Sequence, residues 1–124
     1  DARRISIMSK FIIYHNPRCS KSRQALEIIK QNNCDYQIKL YLDEPITFKE
    51  LESILVKLQM QPRELLRKGE SDFKLNNLSD SKHSDVDIIN FMIKFPKLME
   101  RPIIIKDKKA VLGRPPENVN NLIV

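Results

Sequence analysis

Apolar and polar positions recur along this chain with two different periods, and each change of period marks an element. The short apolar run from Phe11 to Tyr14 predicts a buried strand, after which Ala25, Leu26 and Ile29 recur at helical spacing. Asn32 and Asn33 stop that helix, and the alternation from Asp35 to Leu42 predicts a second strand. Asp43-Glu44-Pro45 reads as a linker. Thr47-Phe48-Lys49-Glu50 has the form of a capping box, and Leu51, Ile54, Leu55 and Leu58 supply the buried face of the helix it opens. Pro62 suits the first position of a short helix ending near Gly69, with Leu65 and Leu66 facing inward and Arg63, Arg67 and Lys68 at hand.

From Glu70 to Lys82 the pattern is polar and irregular, which predicts a long surface loop or a few loose turns. Ser84 caps a further helix whose apolar face is Ile88, Ile89, Met92 and Ile93, and Phe95-Pro96 closes it. His83, just ahead of the cap, reads as a solvated loop residue. Pro102 to Ile105 and Ala110 to Leu112 predict a hairpin, and Gly113 to Glu117 leads into a last short helix ending at Leu122-Ile123. A βαβ unit, several helices and a ββα unit follow one another. That order predicts an α/β, thioredoxin-like three-layer fold with a mixed sheet and a helical insertion between the βαβ and ββα halves. The 124 residues suit a single domain over residues 8–124, with residues 1–7 an N-terminal extension ahead of a natural start at Met8-Ser9-Lys10.

The net charge of +6 admits anionic partners, but Lys and Arg are interspersed with Asp and Glu and form no basic stripe. Trp is absent and basic residues do not interleave with aromatics, so nucleic-acid binding is not expected. Two cysteines far apart, Cys19 and Cys34, with no secretory apolar segment, fit a reducing, cytoplasmic compartment. No apolar run is long enough to span a bilayer. Two cysteines and two histidines, His15 and His83, show no ligand spacing, so no metal is expected.

The chemistry concentrates in Tyr14-His15-Asn16-Pro17-Arg18-Cys19-Ser20-Lys21-Ser22-Arg23. Cys19 falls where the first strand turns into the first helix. N–H groups in the first turn of a helix lack intrahelical partners and carry partial positive charge. A thiol there ionises more readily, His15, Arg18, Lys21 and Arg23 push the same way, and the same N–H groups can hold an oxyanion. A free cysteine also fits a small buried apolar site, and only this cationic surrounding favours chemistry. Cys34 reads as such a packed side chain. Ser22 stands where the second cysteine of a Cys-x-x-Cys couple would be, so any disulfide partner of Cys19 comes from elsewhere. Arg67, Arg101 and Arg114 flank otherwise apolar segments, and a planar guanidinium fork suits a tetrahedral oxyanion.

His15-Asn16-Pro17-x-Cys19-x-x-Ser22-Arg23, Leu65-Leu66-Arg67, Arg101-Pro102-Ile103 and Gly113-Arg114-Pro115, in that order, closely resemble the glutaredoxin-coupled arsenate reductases, over about Lys10 to Val124. The resemblance implies that Cys19 attacks arsenate as a thiolate. Arg67, Arg101 and Arg114 would bind the oxyanion and hold Cys19 ionised, His15 would support that ionisation, and Ser22 and Arg23 would shape the anion loop. Glutathione then attacks the cysteine-bound arsenic and glutaredoxin completes the reduction, with no bound cofactor and no metal. The likeness extends to the Spx regulators, which share the fold and act by binding RNA polymerase. Those typically carry Cys-x-x-Cys, where this chain has Cys19 and Ser22, and typically lack the Gly-Arg-Pro match, so Arg67 and Arg114 favour the enzyme. A related thiol reductase with another oxyanion or a disulfide as substrate is the third reading. Thioredoxin-like folds place a cis proline beside the active cysteine, so the Arg101-Pro102 bond is expected to be cis.

Overall fold

A computed structural model describes residues 10–123 of the chain. The expected N-terminal extension, residues 1–7, lies outside the described residues. The chain forms two compact units, one made of the residues up to Tyr41 together with those from Arg101 onward, the other of Leu42–Glu100.

The first unit is the sheet. Strand β1 (Phe11–Tyr14) pairs in parallel with β2 (Tyr36–Lys39) and antiparallel with β3 (Ile103–Lys106), which pairs antiparallel with β4 (Lys109–Leu112). The order β2-β1-β3-β4 is the expected mixed sheet of a thioredoxin-like fold. Parallel pairing needs a crossover, and α1 (Ser20–Gln31) supplies it. Phe11 and Ile13 alternate onto one face and pack with Ala25, Leu26 and Ile29 of α1, Ile104 of β3, and Val119 and Leu122. Val119 ends a 3-10 turn, Pro116–Val119, that runs into the last helix, α5 (Asn120–Ile123). Cys34 is half-buried against this core, as expected of a packed side chain. The hairpin turns at Asp107, whose φ of 56° lies in the left-handed region that Asp tolerates better than most residues. Gly113 leaves no room for a side chain, because a Cβ there would meet Pro102 at 2.7 Å and Ala25 at 3.2 Å.

The second unit is the expected helical insertion. Helix α2 (Phe48–Leu58) is capped by Thr47, whose hydroxyl accepts the Glu50 N–H at 3.1 Å. A 3-10 turn, Pro62–Leu65, buries Pro62 and Leu65. Helix α4 (Asp85–Lys94) opens on a reciprocal box, with Ser84 Oγ accepting the Asp87 N–H and Asp87 accepting the Ser84 N–H. Leu51, Ile54, Leu65, Leu78, Ile88, Met92 and Leu98 are fully buried in this unit. The segment expected to be a loop contains a short helix, α3 (Ser71–Leu75). It buries none of its residues, so it left no apolar stripe to read. What fixes the stretch is Arg63, which donates to the carbonyls of Leu78, Asp80 and His83, each at 2.8 Å. His83 lies in the loop ahead of the cap, as expected, but it is partly buried and has partners: its ring packs edge-on against Phe91 at 5.3 Å and bonds the Asn77 carbonyl through Nε2 at 3.0 Å.

Candidate active site

Cys19 is the N-cap of α1, with extended backbone at φ −92° and ψ 123°. Asn16 builds the turn that delivers it. The Asn16 carbonyl accepts the Cys19 N–H at 3.0 Å, its Oδ1 accepts the Arg18 N–H at 3.0 Å, and its own N–H donates to Ser22 Oγ at 3.0 Å. Ser22 is fully buried on the inner face of α1, and its hydroxyl also meets His15 Nδ1 at 2.6 Å. Arg23 donates to the Pro17 carbonyl at 2.9 Å, tying the turn to the helix that follows.

Burial pushes the Cys19 thiol up. Against it act the Ser22 backbone N–H, a hydrogen bond from the Arg101 side chain, the Lys21 N–H and the charge of Arg101, and together they hold the thiol below its ordinary value. Arg114 brings Nη1 to 3.9 Å from the sulfur, and the same atom donates to the Arg101 carbonyl at 3.3 Å. Antiparallel pairing places Ile103 opposite Leu112, so Arg101 and Arg114, each two positions beyond that pair, come to one end of the sheet, where β1 hands over to Cys19. The expected cis bond at Arg101-Pro102 is present, and Arg114-Pro115 is cis as well.

The geometry corrects two expectations about the turn. Its N–H groups are not all open to an anion: those of Arg18 and Cys19 close onto Asn16, and those of Lys21 and Ser22 face the sulfur. Nor is His15 a cation beside the thiol. Burial, followed by the charges of Arg23 and Lys30, lowers its pKa from 6.5, so the ring is neutral at neutral pH. Its contact is with Ser22, the residue whose N–H faces Cys19. The sheet unit thus gathers His15, Cys19, Ser22, Arg23, Arg101 and Arg114 around one turn. Arg67 belongs to the helical unit, where its N–H meets the Leu98 carbonyl at 2.7 Å and its guanidinium pairs with Glu100 at 3.0 Å and Glu70 at 3.2 Å.

Asn16 is the residue that pattern-reading passed over. The signal was available, since Asn followed by Pro at the end of a strand favours a side-chain-closed turn. Glu70 and Glu100 carried no such mark.

A family model described as the ArsC family matches residues 14–122. The chain is 46% identical over 112 residues to the uncharacterised protein YfgD of Escherichia coli, covering 90% of this chain and 94% of that protein. It is 37% identical over 113 residues to an arsenate reductase of Haemophilus influenzae, covering 90% and 97%. A solved arsenate reductase structure from Vibrio cholerae superposes with a TM-score of 0.89 at 37% identity, covering 91% of this chain and 97% of that one.

Proposed function

The chain belongs to the ArsC family, and from that premise we propose that it is an oxidoreductase that reduces arsenate to arsenite through the thiolate of Cys19, with glutathione and glutaredoxin as the external reductants. The observation that carries this reading is Cys19 at the N-terminus of α1 with the guanidinium groups of Arg101 and Arg114 brought to its sulfur.

Sulfur attacks arsenic, and an oxygen leaves arsenic as water. An approaching arsenate carries one to two negative charges, which a bare thiolate would repel, so fixed guanidinium donors offset that repulsion as charge builds on the arsenate oxygens. Arg101 and Arg114 take that part, and Arg67, by its place in the motif, is assigned to oxyanion binding with them. Arg23 shapes the loop through the Pro17 carbonyl. His15 and Ser22 act on Cys19 through the hydrogen bond they share, keeping Ser22 in place below the sulfur.

Overall, arsenate gains two electrons and two thiols become one disulfide. Cys34 cannot be the second thiol: α1 separates the two cysteines by about 18 Å of helix, whereas disulfide formation needs Cα atoms within about 7 Å. That supports an external second thiol, and glutathione, with glutaredoxin completing the reduction, fits the part. Cytoplasmic placement, where such thiols stay reduced, belongs to the same proposal. No described helix is long and apolar enough to cross a membrane.

In a coupled assay with glutathione reductase, NADPH consumption is expected only when arsenate, glutathione and glutaredoxin are all present. Turnover that survives omission of glutathione and glutaredoxin, or a protein that binds RNA polymerase and never turns over arsenate, would overturn the proposal.

A further inference from the structure

We infer that Asn16 is a positioning residue for the nucleophile: its side-chain oxygen, its carbonyl and its N–H together lock the turn that carries Cys19 into α1. The inference deepens the reading above, naming a residue that touches neither the sulfur nor the substrate yet decides where the sulfur points.

Three bonds leave the turn little freedom. Closing the Arg18 N–H onto Asn16 Oδ1 and the Cys19 N–H onto the Asn16 carbonyl fixes the two peptides immediately before the N-cap. The third bond, from Asn16 N–H to Ser22 Oγ, ties the start of the turn to the first turn of α1. With both ends fixed, Cys19 keeps the extended backbone that brings its sulfur to the N–H groups of Lys21 and Ser22. Asn16 is itself buried, at 9% exposure, so a polar side chain with this bond is held away from water. An amide suits the task better than a carboxylate. Asp could accept the same Arg18 N–H, but it would set a negative charge beside a sulfur that must become negative.

The test reads thiol ionisation rather than arsenate turnover, so it can succeed or fail independently of the function proposed above. In a Cys34→Ser background Cys19 is the one remaining thiol, and its ultraviolet thiolate absorbance is followed against pH. Asn16→Asp should raise the ionisation midpoint by about one pH unit. Asn16→Ala should raise it by less, and Asn16→Ser, whose hydroxyl can accept the same N–H, should recover most of the loss. Thermal unfolding of each variant identifies those that remain folded. A purely structural role would lower the melting temperature and leave the midpoint where it was. A midpoint of folded Asn16→Ala that matches the parent would overturn the inference. If Asn16→Ala does not fold, Asn16→Gly, which likewise lacks the acceptor for the Arg18 N–H, decides.

Discussion

The two cysteines flank the same helix and are both half-buried, yet the groups that face their sulfurs differ. Cys19 stands at the amino end of α1, where backbone N–H groups and the guanidiniums of Arg101 and Arg114 face its sulfur. Cys34 stands just beyond the carboxyl end, where its sulfur lies 3.6 Å from the carbonyl of Asn32 and its side chain packs on the sheet core. One end of a helix presents donors and partial positive charge, and the other presents acceptors. Identical side chains thus meet opposite surroundings according to which end they occupy: Cys19, proposed above as the nucleophile, faces donors, and Cys34 packs on the core.

The largest expected effect tests that contrast directly. Cys19→Ser should lower arsenate turnover by about 10⁴-fold or more, as loss of a nucleophile does elsewhere, while Cys34→Ser should stay within about twofold. Iodoacetamide labelling followed by mass spectrometry should modify Cys19 first at neutral pH, because the thiolate is the reactive form. Loss of turnover in Cys34→Ser, with Cys19→Ser still active, would reverse the assignment.

Next in size is Arg101→Ala. Removing one preorganised donor should lower kcat/KM by about 10²-fold. It should also raise the Cys19 ionisation midpoint, since Arg101 acts on the sulfur through both a hydrogen bond and its charge. Arg101→Lys should recover part of the charge effect and little of the bidentate anion binding. An unchanged midpoint in a folded Arg101→Ala variant would leave the helix terminus and Arg114 as the groups that ionise the thiol.

The smallest effect concerns stability. His15 has a depressed pKa, so below about 6.5 the unfolded chain takes up a proton that folded His15 resists. The stability this residue contributes is complete above that value and is lost as pH falls toward the folded-state pKa. Urea unfolding at a series of pH values should show the decline, and His15→Asn, which can keep a bond to Ser22, should flatten it. A decline of the same slope in the variant would place its origin elsewhere.

Much of the scaffold was legible because its signals are local. The run Phe11 to Tyr14, the spacing of Ala25, Leu26 and Ile29 and the caps at Thr47 and Ser84 each depend on residues within a turn or two of one another. α3 escaped because its two apolar residues, Phe73 and Leu75, stand two positions apart, which is not helical spacing, and neither is buried. The loop position of His83 was legible but its partners were not: Phe91 and the Asn77 carbonyl lie several residues away on either side and are brought to it by a loop that Arg63 holds.

The sequence by itself determined the order of the strands and helices, the position of Cys19 where a strand becomes a helix, and the kinds of residue available to bind an anion. Tertiary structure alone decided which of those residues reach the sulfur. Arg114 lies 95 positions from Cys19 along the chain and meets it because β3 and β4 pair in one register and Gly113 lets the backbone pass close to Pro102. Arg18 and Arg23, close in sequence, serve the turn instead, one through its backbone N–H and the other through the Pro17 carbonyl. Periodicity reports which face of an element is buried, but only strand pairing brings charges from the two ends of a chain to one atom.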